Sequence, residues 1–368
     1  LSFINLIEKY ENFDFDSYFS QLKEEDIRRS ISKDKRDIYD FLNLISPQAL
    51  PYLEEMAIKA RALTEQWFGR TIMLYIPLYV SNYCSNQCAY CGFNVANNIK
   101  RKHLSLQEVE EEAREIAKTG IKHILFLTGE AEKLVPISYL KDVILILKKY
   151  FSSISLEVYP LDEKEYRELQ ELGLDGLTIY QEVYDRKIYD EVHIKGRKKD
   201  YLWRLDTAER GARAGLRSVN IGTLFGLGSI RKEAFFSALH GKYLTDKYIN
   251  TEFSLSLPRI NNAEGGFQAK EIMDNISFVQ ILLAYRLFLP RAGINISTRE
   301  KAEFREKLLG LGVTKFSAGS KTSVGSYKVE DKSTEQFETS DKRSSQEVVA
   351  MLKAKNYQVI YKDWELIV

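Results

Sequence analysis

The stretch TIMLYIPLYVSNYCSNQCAYCGF, residues 71–93, decides the fold. Residues 71–80 are a short apolar run bounded by polar residues, as in a buried strand of a parallel sheet. The loop that follows carries all three cysteines of the chain, Cys84, Cys88 and Cys91. An odd number of thiols this close together does not make a disulfide framework. The N-terminal residues LSFINLIEKYENFDFD carry acids early and lack a long apolar segment, so no secretory signal is expected. A cytoplasmic, reducing setting follows, where clustered thiols bind metal or take part in catalysis.

Working outward from the loop, helices and strands alternate. Helices are predicted over 105–118, 138–150, 162–172, 201–214, 231–244, 276–288 and 301–309. Ser105 followed by Glu108 reads as a capping box, and Gly173 as a helix stop. Strands are predicted over 123–129, 153–159, 176–180, 218–226, 250–257, 294–298 and 313–319. With 71–80 these make eight strands joined mostly by helices, which implies a parallel sheet. The length, roughly 250 residues, suits a closed barrel. The predicted fold class is therefore α/β, a (β/α)8 TIM-type barrel, with an open doubly wound sheet as the other arrangement. In a barrel, the cysteine loop leaves the C-terminal end of the first strand, where active sites lie.

Residues 1–70 read as a helical N-terminal extension, with Leu53, Met56, Ala57, Ala60 and Leu63 at helical spacing. Residues 71–320 form the barrel, and 321–368 a C-terminal segment packing on it. That segment opens with a polar loop within 320–345. A helix over 346–355, a strand over 358–361 and the closing KDWELIV follow.

Hydrophobic residues make up 44% and charged residues 29%, which suits a packed core with a polar surface. Lys plus Arg total 53 and Asp plus Glu 52, so the overall basic excess of a general nucleic-acid binder is missing. No apolar run approaches the length of a membrane span. The cysteine spacing is C-x3-C-x2-C. A structural zinc normally has four protein ligands, and none of His103, His123, His193 or His240 has zinc-finger spacing. A [4Fe–4S] cluster normally has four cysteines. Three leave one iron open, as a catalytic metal needs. The residues alone leave open a cluster enzyme and a zinc-binding interaction module.

The spacing, with aromatic Tyr90 before the last cysteine, resembles the signature of radical S-adenosylmethionine (SAM) enzymes. The likeness extends through NNIKRK (97–102), FLTGE (126–130), YQEVY (180–184), GRKKDYLWRLDTAERGARAG (196–215), GTLFGL (222–227), SLPRI (256–260) and STRE (297–300). Together these resemble the radical SAM aromatic amino acid lyase family. The resemblance implies that Cys84, Cys88 and Cys91 hold a [4Fe–4S] cluster whose fourth iron is chelated by SAM. It places Thr128, Gly129 and Glu130 at the SAM amino group, Arg204 at its carboxylate, Glu182 at the ribose and Tyr90 near the adenine. For the substrate it suggests Arg259 at the carboxylate, with Ser297 and Arg299 assisting at the amino-acid head. Tyr180, Gln181 and Tyr184 would shape the pocket, and His193 is a candidate proton relay.

The implied reaction is cleavage of the Cα–Cβ bond of L-tyrosine to 2-iminoacetate and p-cresol, with methionine and 5′-deoxyadenosine formed from SAM. It would serve thiazole formation in thiamine biosynthesis, beside a thiazole synthase partner. A flavodoxin or ferredoxin electron donor is expected, with Lys100, Arg101 and Lys102 as its basic docking trio or, alternatively, a solvated face. Two neighbouring branches are a tryptophan lyase and a hydrogenase-maturing tyrosine lyase. The latter carries further cysteines near its C-terminus, where this chain has Lys321 within SAGSKTSVGSY. The closing QVIYKDWELIV resembles the thiazole branch.

Overall fold

A computed structural model describes residues 2–328 and 333–362. Eight parallel strands form the centre: β1 Thr71–Ser81, β2 His123–Thr128, β3 Ser153–Glu157, β4 Gly176–Glu182, β5 Ser218–Thr223, β6 Glu252–Ser256, β7 Gly293–Ile296 and β8 Lys315–Ser317. Each pairs with the next, and β8 returns to pair with β1 through Met73↔Lys315 and Tyr75↔Ser317. That last pairing closes the sheet, so the arrangement is the (β/α)8 barrel rather than the open sheet. The strands are short Ile-, Leu- and Val-rich runs because both faces are covered. Two register breaks, at Tyr79/Ser81 in β1 and Tyr180/Glu182 in β4, lie at the C-terminal ends. Such irregularities re-aim side chains at the rim.

The helices Leu106–Ala117, Ile137–Leu147, Glu163–Leu172, Ile230–Lys247, Asn275–Phe288 and Ala302–Lys307 match expectation within a few residues. Ser105 and Glu108 do form a capping box, and Gly173 ends its helix at φ 119°. The single helix expected over 201–214 is instead two, Tyr201–Leu205 and Thr207–Arg213. The physical reason lies at the Trp203 carbonyl. It accepts from Thr207 Oγ1 at 3.0 Å and from Arg210 Nη2 at 2.8 Å, side-chain bonds that compete with the helical ladder. A further helix, Arg186–Val192, follows β4 and is capped by Asp185.

Five α-helices and one short 3-10 helix lie between Phe3 and Phe68. They are stitched to the outer helices of the barrel. Gln280 Nε2 donates to the carbonyls of Leu44 (2.9 Å) and Ser46 (2.7 Å), and Phe3 stacks on His240 with ring centres 4.0 Å apart. Among the described residues, the loop within 320–345 has neither helix nor strand and crosses the C-terminal mouth of the barrel. There Gly325 N–H donates to Tyr79 O, and Tyr327 OH to Pro77 O. Helix Ser345–Ala354 leads to strand Gln358–Ile360, which pairs with Thr71–Met73 of β1. The remainder of KDWELIV, from Asp363, lies outside the described residues. No helix among them is long and apolar enough to cross a membrane.

Candidate active site

A cavity of about 1480 Å³, including the space open to solvent, occupies the C-terminal mouth of the barrel. Cys84, Cys88 and Cys91 line it, on a loop held from several sides. Ser85 N–H donates to Glu130 O (2.9 Å), Ala89 N–H to Val192 O (2.8 Å), and Asn94 Nδ2 to Cys88 O (3.0 Å). The short strand Gln87–Cys88 pairs antiparallel with His193–Lys195. Arg101 donates to the carbonyls of Asn82, Phe93 and Asn94 at 2.7–2.8 Å. Its guanidinium therefore knits the loop together. Lys102 lies 3.7 Å from Glu108, and Lys100 is exposed. A Cβ on Gly129 would lie 2.3 Å from Tyr83 O, so only glycine lets the β2 loop pass the cysteine loop this closely.

Burial pushes the Cys84 thiol up to about 11 and raises Cys88 and Cys91 as well. Unoccupied by metal, such thiols stay protonated; a bound cationic centre deprotonates them. Among the described residues, no three His, Cys, Asp or Glu side chains gather as ligands of one ion. The three thiols line one cavity, and three cysteine ligands leave one iron of a four-iron cluster for another ligand. Gln336 Nε2 lies 3.9 Å from Cys91 Sγ and so provides the kind of N–H to sulfur contact that tunes iron–sulfur centres.

Beside the thiols lies a network of four charges. Glu130 Oε1 accepts from Arg204 Nη1 at 2.9 Å, and Glu182 Oε1 from Lys198 Nζ at 2.8 Å. Arg204 Nη2 is 3.6 Å from Glu182, and Arg204 Nε donates to Tyr180 O at 2.7 Å. Burial disfavours both cations, but the facing carboxylates outweigh it, and both are held more firmly charged than usual. Burial likewise pushes Glu182 up, and Lys198 and Arg204 outweigh it to leave its carboxyl lowered. Glu182 has φ 71°, a left-handed conformation rare outside glycine. Its carbonyl is pinned by Thr223 Oγ1 (2.6 Å) and Leu224 N–H (2.8 Å). Backbone strain of this kind concentrates at functional sites. The Thr128 hydroxyl borders the same cavity, buried without a partner.

Thus the structure brings Tyr90, Thr128, Gly129, Glu130, Glu182 and Arg204 together around one cavity with the cysteines. Tyr180, Ser297 and Arg299 also line it. Four expectations are corrected. Arg259 does not reach the cavity. Its guanidinium is paired with Glu300, donates to Met273 O and Asn275, and lies against the rings of Phe278 and Phe304. Gln181 is buried off the cavity, with neither amide atom partnered. Tyr184 is buried beneath helix Ile230–Lys247, bonded to His240 Nδ1 at 3.0 Å. His193 lies behind Tyr90, not at the cavity. Its Nδ1 serves Tyr189 O and its Nε2 accepts from Tyr90 OH, both at 2.8 Å. Burial, then the charges of Lys198 and Arg204, push it down to about 2, so the imidazole is held neutral between Tyr189 O and Tyr90 OH.

Lys198, Glu157 and Gln336 line the cavity and carried no assignment from the sequence. Lys198 stands in GRKK, at the start of a stretch that carries the family resemblance without marking this lysine. Glu157 ends an ordinary strand, and Gln336 lies in the polar C-terminal loop.

A thiol loop with C-x3-C-x2-C spacing at the mouth of a parallel barrel defines a radical SAM enzyme. The model of the Radical SAM superfamily matches residues 78–234, and that of the Biotin and Thiamin Synthesis associated domain matches 256–358. The 2-iminoacetate synthase of Escherichia coli K12 is 38% identical over 341 residues, 92% of this chain and 90% of that protein. The X-ray structure of the FeFe-hydrogenase maturase HydG from Carboxydothermus hydrogenoformans superimposes with a TM-score of 0.90 at 31% identity, over 98% of this chain and 84% of that one. Methylornithine synthase (PylB), at 20% identity and a TM-score of 0.72, shares the fold. The chain belongs to the radical SAM superfamily and, within it, to the 2-iminoacetate synthase family. That family works with a [4Fe–4S] cluster and SAM, and the zinc-module alternative is set aside.

Proposed function

We propose that the protein is a radical SAM tyrosine lyase that cleaves L-tyrosine at Cα–Cβ to 2-iminoacetate and p-cresol, for thiazole formation in thiamine biosynthesis. The observation that carries this reading is the convergence of three thiols, Cys88 buried and Cys84 and Cys91 half-buried, and a four-charge network on one cavity at the barrel mouth. When bound, the cluster and SAM supply the one-electron chemistry that starts a radical reaction; the protein supplies binding, orientation and exclusion of water.

Cys84, Cys88 and Cys91 hold the cluster. Arg204 offers a guanidinium fork to the SAM carboxylate and Glu130 an acceptor to its ammonium. Glu182, held in its strained conformation, presents a carboxylate to the ribose hydroxyls, with Lys198 keeping it charged. Tyr90 lies beside the adenine, oriented by His193. Arg299 takes over from Arg259 as the anchor of the substrate carboxylate, with Ser297 beside it and Tyr180 shaping the pocket. The loop within 320–345 closes the mouth and limits entry of water. A flavodoxin- or ferredoxin-like donor supplies electrons. A cytoplasmic thiazole synthase accepts the imine, which water hydrolyses readily. All three cysteines lie in the cluster loop, so this chain has no thiols for the second cluster of a maturase.

The test is anaerobic turnover after reconstitution with iron and sulfide, with dithionite, SAM and either L-tyrosine or L-tryptophan. The proposal expects p-cresol and 5′-deoxyadenosine from tyrosine. An indole-derived acid from tryptophan, with no p-cresol from tyrosine, would reassign the branch.

A further inference from the structure

The charged side chains lining the cavity are Glu130, Glu157, Glu182, Glu300, Lys198, Arg204 and Arg299. Three of the four carboxylates already face a cation: Glu130 faces Arg204, Glu182 faces Lys198, and Glu300 faces Arg259 from outside the cavity. That leaves one carboxylate, Glu157, and one guanidinium, Arg299. Neither makes an ion pair or a side-chain hydrogen bond with any described residue; Arg299 rests over the Phe337 ring, 3.3 Å from its centre. Their strands are opposite one another. Glu157 ends β3 and Arg299 follows β7, four places apart on a ring of eight. The two are not in contact, yet each shifts the ionisation of the other. A gap bordered by one unpaired negative and one unpaired positive group is complementary to a zwitterion, because a buried charge needs a partner.

We propose that Glu157 binds the α-ammonium of the substrate opposite the carboxylate on Arg299, so that the cavity selects an intact α-amino acid. This rests on the reading of the cavity as an aromatic amino acid lyase site. The free carboxyl is in the state that such a role requires. Burial, then the charge of Glu182, push it up to about 7, so an arriving ammonium supplies the missing counter-charge. The SAM ammonium has its own acceptor in Glu130, which leaves Glu157 for the second amino group. No sequence motif marks it, because its meaning comes from the pairing of every other charge around the ring.

The experiment measures calorimetric affinities on the cluster-reconstituted protein for SAM, for L-tyrosine with SAM bound, and for 3-(4-hydroxyphenyl)propanoate with SAM bound. The last compound keeps the carboxylate and phenol but lacks the amine. In Glu157→Gln, tyrosine affinity is expected to fall about 10- to 100-fold, as for loss of a charge-assisted hydrogen bond. Affinities for the desamino compound and for SAM should hold within about threefold. Glu157→Asp should recover part of the tyrosine affinity, and it decides the matter if Glu157→Gln does not fold. Unchanged tyrosine affinity, or an equal fall for tyrosine and the desamino compound, would overturn the proposal. A fall in SAM affinity would instead assign Glu157 to SAM. Wild-type protein that binds no aromatic amino acid would overturn the underlying reading before any variant is compared.

Discussion

Two buried charge clusters of this barrel invite comparison. One consists of Arg305, Asp341 and Arg343; the other of Glu130, Glu182, Lys198 and Arg204. In the first, the Arg305 and Asp341 side chains are 0% exposed and paired at 2.5 Å. Arg305 also donates to Ser317 O in β8, and Arg343 Nε donates to Asp341 at 2.9 Å. These bonds tie the C-terminal loop to β8, and none of the three residues lines the mouth cavity. In the second, carboxylates and cations likewise pair, but they open onto the mouth. The backbone at Glu182 is left-handed, a glycine is required at 129, and the Thr128 hydroxyl is unpartnered. Burial of charge alone therefore does not mark a site. The closed cluster directs its bonds at the chain, whereas the mouth cluster keeps faces turned to a space large enough for ligands.

The largest separation between the two regions is expected from Cys88→Ala. Cluster iron falls and turnover drops below detection, while the melting temperature stays within a few degrees of wild type. Iron analysis with the lyase assay and calorimetric melting checks this; a large fall in melting temperature would make the loop a structural element. Next comes Asp341→Ala, which leaves Arg305 buried without its carboxylate. Stability should fall by about 3–5 kcal/mol in urea unfolding, with SAM affinity unaltered. Arg204→Lys should do the reverse. Loss of the fork weakens SAM binding by about 1.5–3 kcal/mol, measured by calorimetry, with little change in the urea midpoint.

The smallest effect is a difference in pH slope. Burial pushes the Asp341 carboxyl up, but hydrogen bonds and charge from Arg343 and Arg305 outweigh it and leave it below the ordinary value. Its contribution is present above the unfolded carboxylate pKa and is lost as pH falls through the lower folded one, so it sharpens acid unfolding. Glu157 is raised to about 7. Its contribution is present below the unfolded pKa near 4.3 and is lost as pH rises toward 7. Glu157→Gln should therefore gain about 1–2 kcal/mol over wild type at pH 8 and nothing near pH 4. Urea titrations at the two pH values measure this. Equal differences at both would contradict the opposite slopes assigned to the two regions.

The strands were legible because a strand covered on both faces is a short apolar run; eight such runs suit a barrel, and the pairing of β8 with β1 is what closes it. The break at Asp206 was not, since it depends on which side chains capture the Trp203 carbonyl. Nor were the short strands at 87–88 and 193–195, too brief for any period. At the site, the cysteines announce themselves by spacing, and Glu130 and Arg204 by their motifs. Arg259 misled because a strand-end arginine reads as a ligand anchor, while its direction is decided by Glu300 and two aromatic rings far along the chain. Glu157 and Lys198 escaped for the converse reason. Each is an unremarked residue in its own segment, and acquires a role only from neighbours on other strands.

A crystal structure of the reconstituted protein with SAM and L-tyrosine bound tests the central claim most directly. The account predicts a four-iron cluster on Cys84, Cys88 and Cys91, with the SAM carboxylate on Arg204. The tyrosine carboxylate should lie on Arg299 and its ammonium on Glu157. A single metal ion on the three thiols, or tyrosine bound away from both Arg299 and Glu157, would contradict it.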